Sequence, residues 1–242
     1  MEKTVSEAIA YRRSVRVFTQ DEIDSEKVRN CLRNASIAPT SSNLQLWEFY
    51  HVCSTNLKTA ISRACFNQSA SKTAQQFIVF VSRKDLWRKR AKANLEFLHK
   101  NFSKDPLVEK MAKRKKMATT YYSKVIPLAY IEFFGVLGAL KYLACQTIGL
   151  FKPVYRQTRL SDMRIVAHKS TALAAQNFMI SMAAIGYDTC PMEGFDSKRV
   201  KQIMNLPKSV EITMIVSCGI RDDRGIYGPQ FRVPFEDIYF AS

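Results

Sequence analysis

The most apolar stretch of this chain, residues 125–151, is never free of charge for long. Glu132 and Lys141 interrupt it, and its longest uncharged piece runs only from 142 to 151. A membrane-spanning helix needs roughly 20 consecutive apolar residues, about twice that length, and no window of about 20 apolar residues anywhere in the chain is free of charge. Pro127, Gly135, Gly138 and Gly149 break the stretch further. The chain therefore has to find cover for these side chains without crossing a bilayer. Three readings fit, in order of preference: a buried or interface helix, a lid over a ligand pocket, and a helix lying on a membrane surface beside the basic residues that precede it.

A chain of 242 residues, 47% of them hydrophobic, can bury a sizeable core. No internal repeat or low-complexity linker divides it, so one domain over 1–242 is expected, with 83–161 as a variable basic and apolar helical insertion. The N-terminus lacks the apolar core of a signal peptide. The cysteines at 31, 53, 65, 145, 190 and 218 form no C-x-x-C pair. They read as reduced, mostly buried thiols, which with the missing signal peptide points to the cytoplasm. The net charge of +16 is local, because residues 83–124 carry fourteen Lys or Arg against four Asp or Glu. Such a stretch can attract nucleic acid or anionic lipid. With few interleaved aromatics and no nucleic-acid motif, a solvated helical face is the preferred reading, and no nucleic-acid partner is expected.

Thr4-Val5-Ser6-Glu7 reads as a capping box opening a helix that ends near Tyr11. Asp24 or Ser25 caps a second helix with Val28, Cys31, Leu32 and Ala35 on its apolar face, and Pro39 ends it. Residues 47–53, 77–82 and 211–219 read as strands. Residues 56–65 read as a helix, and 84–100 and 106–122 as basic helices separated by Asp105-Pro106. Asp162 opens a long helix with Leu173, Gln176, Asn177, Ile180, Ser181 and Ala184 near one stripe, stopped by Gly186. Asp196 caps a short helix to Leu206, and residues 226–242 hold few helix signals.

Four segments carry chemistry. Arg12-Arg13-Ser14-Val15-Arg16 is a compact set of donors, and an arginine can grip phosphate through two parallel bonds. Taken alone it reads better as a solvated basic patch. Pro39-Thr40-Ser41-Ser42-Asn43-Leu44-Gln45 offers neutral donors and acceptors suited to the edge of a heterocycle, or is an ordinary turn. Pro191-Met192-Glu193-Gly194-Phe195 lets backbone approach a flat ligand closely at Gly194. Gln230-Phe231-Arg232-Val233-Pro234 brings one more cation near the C-terminus. His51, His99 and His168 are far apart and lack metal-ligand spacing. No dinucleotide or Walker glycine motif and no nucleophile–histidine arrangement stands out, and Cys190 reads as a packing residue.

Together these segments resemble the nitroreductase family of FMN-dependent oxidoreductases, over residues 4–82 and 162–240. The resemblance implies an α+β fold: a central, mixed but mainly antiparallel sheet flanked by helices, in an intertwined homodimer. It implies FMN as cofactor and NADH or NADPH as donor. Hydride would pass through flavin N5, in ping-pong order, to nitroaromatic, quinone or similar small-molecule acceptors. The positions matching Arg12, Arg13, Ser14 and Arg232 would hold the phosphate and ribityl chain, and Arg16 would lie beside the pyrimidine edge. Backbone N–H groups of Glu193 and Gly194 would meet N5 and O4, with Pro191 and Met192 backing the ring and Asn67 near its edge. Pro39, Thr40, Ser41 and Asn43 would serve the site of the other subunit. No side chain would be catalytic in its own right, and no metal is implied. The chain departs from the pattern at Leu46, where proline is usual, and at Gln230 and Ala70, where lysines often stand. Another FMN-dependent reaction on the same fold (a dehydrogenase, a dehalogenase or a flavin-consuming enzyme) stays open. So does a binding protein that uses 83–124 on nucleic acid or a membrane surface.

Overall fold

The computed structural model describes residues 2–102 and 108–241. Two short helices lead in. Helix α1 (Val5–Tyr11) is closed by the expected box: Glu7 N–H donates to Thr4 Oγ1, and Thr4 N–H donates to Glu7 Oε2 at 2.7 Å. Helix α2 (Ser25–Ser36) is capped by Asp24, whose carboxylate accepts from Glu26 and Lys27. It stops three residues before Pro39.

Strand β1 (Trp47–Val52) is followed by α3 (Thr55–Ala64) and the single turn α4 (Ser69–Lys72), then β2 (Gln76–Ser82). The basic region begins with a tight turn over Lys84–Leu86 and continues as α5 (Trp87–Phe102) and α6 (Val108–Thr120). The Asp105-Pro106 break lies outside the described residues. A π-helical turn over Tyr121–Val125 leads to α7 (Ile126–Tyr130) and α8 (Val136–Ile148). The long α9 (Leu160–Ala184), β3 (Asp188–Met192), α10 (Ser197–Ile203) and β4 (Glu211–Gly219) complete the core.

The sheet has the order β1-β2-β4-β3, and all three pairings are antiparallel. Its parallel component is one bridge, between Ser14 and Thr189. Strand β2 is central and buried on both faces, so its alternate side chains feed two cores. Phe77, Val79 and Val81 pack with Ile61, Val200 and Ile215 on the α3/α10 side. Ile78 and Phe80 pack with Val28, Phe178 and Met182 on the α2/α9 side. A third cluster, Leu44, Leu46, Ala91, Ile126 and Ala167, seats the 40–46 loop against α5, α7 and α9.

Four expectations need correction. Residues 188–192 form an edge strand, which the sequence concealed because it is short and contains Pro191; the missing N–H is tolerated only at a sheet edge. Helix α9 starts at Leu160, and Asp162 sits in its first turn, accepting from Arg159 N–H at 2.9 Å. Its buried stripe is Ala167, Thr171, Ala174, Ala175, Phe178 and Met182, while Leu173 and Gln176 face outward. The alanines let the helix lie close on the sheet, a contact that the larger apolar residues elsewhere on the helix obscure in the pattern. Helix α10 ends at Ile203 rather than Leu206, because Asn205 takes a left-handed conformation (φ 51) and Leu206 N–H bonds back to Lys201 O. Finally, α8 buries only Gly138, and Leu140 and Leu143 are well exposed in the single chain, which overturns the buried half of the first reading and not the interface half. Gly186 does stop α9: it has φ +83, and Tyr187 N–H reaches Met182 O at 2.9 Å.

Candidate active site

Helix α1 ends as Arg12 N–H donates to Ala8 O at 3.0 Å, and the chain then turns extended. Val15 is fully buried and anchors this extended piece, with its N–H on Thr189 O at 3.1 Å beside the Ser14–Thr189 bridge. Arg16 N–H donates to Gly225 O at 2.7 Å. A Cβ at Gly225 would stand 2.5 Å from Val17 O, so only glycine lets the C-terminal segment approach this closely. From there the chain runs back over the arginines, and Arg13 Nη2 holds Gly228 O at 2.8 Å.

The result is a hollow of about 390 Å³ lined by Arg12, Arg13, Ser14 and Arg16 on one side and by Ile226 to Arg232, Gln230 included, on the other. Cations from opposite ends of the chain thus share one space, and among the described residues no carboxylate lines it. Among the described residues none of Arg12, Arg13, Arg16 and Arg232 forms an ion pair. Burial, then Arg232, then Arg13 hold the Arg12 guanidinium below its usual range. Burial raises the Cys190 thiol, and nearby Arg16 and Arg12 oppose that rise, which places both guanidiniums beside β3. Like charges around a hollow without a counter-ion repel; an anion there would relieve the repulsion.

Strand β3 carries the second wall onward. Met192 is buried against the α3/α10 core, while Glu193 and Gly194 emerge at the surface. Their N–H groups find no acceptor among the described residues. Gly194 is instead held by its carbonyl, which accepts from Gln68 Nε2 at 2.7 Å, and Asp196 N–H donates to Ala64 O at 2.8 Å. The segment therefore presents donors outward.

Two predicted groups lie elsewhere. Asn67 sits in a left-handed turn (φ 51) and lines a neighbouring hollow of about 350 Å³ with Lys58, Arg63 and Lys72. Ala70, at the position where a lysine is common, is fully buried. The 39–45 loop shares no lining with the arginine hollow. It is pinned to helical neighbours: Ser41 N–H on Ser170 Oγ at 3.4 Å, Ser42 Oγ with Tyr121 Oη at 2.6 Å, and Asn43 Nδ2 on Asn94 Oδ1 at 2.7 Å. Ser42, Asn43 and Gln45 all adopt positive φ.

Sequence reasoning missed Tyr227, Gly228 and Pro229 as part of the hollow, although the Gly-Pro pair marks a turn. It also missed Gln68, which carries no motif. A cysteine–histidine contact exists as well: His51 Nε2 is 3.3 Å from Cys53 Sγ, just past the end of β1. Gln76 decides its meaning. Its Nε2 donates to Ile23 O and Ser25 Oγ, so its Oε1 faces His51 Nε2 at 2.6 Å and requires a proton there. His51 is a donor at that nitrogen and cannot take the Cys53 proton through it.

Comparison with known proteins matches residues 9–220 to the model of the Nitroreductase family. Protein DrgA of Synechocystis is 28% identical over 218 residues, covering 90% of this chain and 84% of that one. A protein of Staphylococcus haemolyticus, provisionally named as an NAD(P)H nitroreductase, is 24% identical, covering 98% and 97%. Among solved structures, a protein of Exiguobacterium sibiricum provisionally named a nitroreductase, crystallised in complex with FMN, superposes with a TM-score of 0.67 at 22% identity, covering 99% and 98%.

Proposed function

This chain belongs to the nitroreductase family and is an oxidoreductase; from that premise we propose that it binds FMN and uses it to carry hydride from NADH or NADPH to a nitroaromatic, quinone or similar acceptor in ping-pong order. The observation that carries the proposal is the set of arginines from both chain ends around one carboxylate-free hollow. Their charge and unpaired state fit a dianionic phosphate. Arg12, Arg13, Ser14 and Arg232 would hold that phosphate and the ribityl chain. Arg16, next to β3, would put positive charge at the pyrimidine edge and favour the reduced, anionic ring. Glu193 and Gly194 would offer their free N–H groups to the ring edge, with Pro191 and Met192 behind it. Gln230 is neutral, so the clamp on this side rests on Arg232 alone. The protein's share is binding, orientation and charge, and no side chain has to move a proton.

We further propose a homodimer in which the partner subunit's Pro39, Thr40, Ser41 and Asn43 complete each site. Large apolar side chains exposed on α8 and along the C-terminal segment, such as Leu140, Leu143, Phe231, Phe235 and Phe240, support it. Asn67 would join the ring edge only by turning from the hollow that it lines here. No described helix is long and apolar enough to cross a membrane. The unpaired cysteines fit a reducing compartment, and we place the enzyme in the cytoplasm as one domain over 1–242.

The test is direct. Purified protein should show a flavin absorption band or acquire one on titration with FMN. It should oxidise NADH or NADPH with a quinone or nitroaromatic, giving parallel double-reciprocal lines. Protein that takes up no FMN sinks the proposal; a yellow protein without turnover leaves the cofactor and removes the reaction. Light scattering should give twice the chain mass.

A further inference from the structure

We infer that Arg221 and Asp188 are positioning residues that aim Arg12 into the hollow, by joining at one node the three chain segments that build it; this rests on the FMN reading above. Asp188 begins β3 and is almost fully buried. Arg221 follows β4, and its backbone N–H donates to Asp188 Oδ2 at 2.9 Å. Its side chain reaches Asp188 Oδ1 through Nε at 2.9 Å and Nη2 at 2.5 Å. The same Nη2 donates to Tyr11 O at 3.1 Å, and the guanidinium lies 4.0 Å from the Tyr11 ring centroid.

The connectivity of this node is what matters. Tyr11 immediately precedes Arg12, Asp188 immediately precedes Thr189, and Arg221 opens the segment that supplies Gly225, Gly228 and Arg232. The stretch from Arg12 to Ser14 is therefore fixed at both ends: Tyr11 O is held by Arg221, and Val15 N–H is held by Thr189 O. Between those points Arg12, Arg13 and Ser14 all line the hollow.

The node acts by geometry and not by adding charge. Asp188 neutralises Arg221 and uses both oxygens to do so, so it neither attracts Arg12 nor competes with a phosphate. The guanidinium grips the carboxylate through Nε and Nη2 while Nη2 also reaches the carbonyl. Lysine keeps the charge but loses the Nε bond and the planar group that fix the direction of that nitrogen.

The experiment compares FMN with riboflavin, which lacks the phosphate, by fluorescence titration of apo full-length protein. Wild type should prefer FMN. Arg221→Lys should lose about tenfold or more of that preference, the loss typical of removing an orienting partner. Phe178→Leu, in the α2/α9 core and outside the node, should lower the melting temperature and leave the preference unchanged. An Arg221→Lys protein with wild-type preference overturns the inference, even if it melts earlier. Should that variant not fold, Asp188→Asn, which retains one acceptor oxygen for Arg221, is judged by the same ratio. A wild type that binds FMN no better than riboflavin overturns the phosphate reading of the hollow itself, so the two failures are distinct.

Discussion

Removing Arg232 should weaken FMN binding without weakening the fold, and that opposition of signs is diagnostic. The side chain is exposed, and among the described residues its hydrogen bond, from Nη1 to Phe231 O at 2.7 Å, is to its own neighbour. It does repel Arg12, whose guanidinium it helps to hold below the usual range. The ligand-free protein should thus be unchanged or more stable by a few tenths of a kcal/mol, the scale of a screened surface interaction. Binding is different. A hydrogen bond to a charged group contributes about 1.5–3 kcal/mol. Solvent exposure reduces that to roughly 1–2 kcal/mol, which is about 5- to 30-fold in Kd. Isothermal titration with FMN, with riboflavin as the phosphate-free control, reads both. The expected outcome is a weaker FMN complex, unchanged riboflavin affinity, and a difference that shrinks as salt rises. Equal losses for both ligands would show that Arg232 shapes the ring site instead, and unchanged FMN affinity would remove it from the clamp.

Phe178 is fully buried between α9 and β2, with its ring 5.7 Å from Phe80. Phe178→Ala should cost about 3–5 kcal/mol in urea denaturation, and a loss under 1 kcal/mol would mean that the two-faced core is misplaced. Burial raises the Glu211 carboxyl, but hydrogen bonds from His168 and Arg164 outweigh it and hold the group below the usual carboxylate range. A folded value below the unfolded one gives stability that is complete above that pH and is lost as pH falls through the folded value. Thermal melts from pH 6 down to about pH 3 should therefore fall less steeply in Glu211→Gln, and parallel curves would contradict this. Burial pushes the Cys65 thiol up to about 12, the Cys31 thiol to about 11 and the Cys218 thiol well above 9. A disulfide reagent at mildly alkaline pH should label exposed Cys53 first, and the buried Cys31, Cys65, Cys190 and Cys218 only on unfolding. Rapid labelling of all six in native protein would refute the burial pattern.

Local chemistry made much of the fold legible. Thr4 with Glu7, Asp24, Asp196 and Gly186 each satisfy helix-end groups from a few residues away, so the signal is written in neighbouring letters. Strands β1, β2 and β4 were legible because β-branched and aromatic residues concentrate there. Strand β3 was not, since five residues with a proline form a strand only when β4 lies alongside to pair with them. The buried stripe of α9 escaped for a related reason: apolar residues surround the helix, and only the sheet selects which of them it covers.

The site divides in the same way. The sequence by itself determined its ingredients: the arginines of 12–16, the polar loop at 39–45, the glycine at 194 and the late cation at 232. Their spacing along the chain says nothing of distance, because more than 200 residues separate Arg12 from Arg232. Tertiary structure decided that the two ends meet, through β3–β4 pairing, the Ser14–Thr189 bridge and the glycine at 225 that permits close backbone contact. It also decided that the polar loop lines no part of its own chain's arginine hollow and is bonded to Ser170, Tyr121 and Asn94 instead. Sheet pairing is non-local, and so is every arrangement that depends on it.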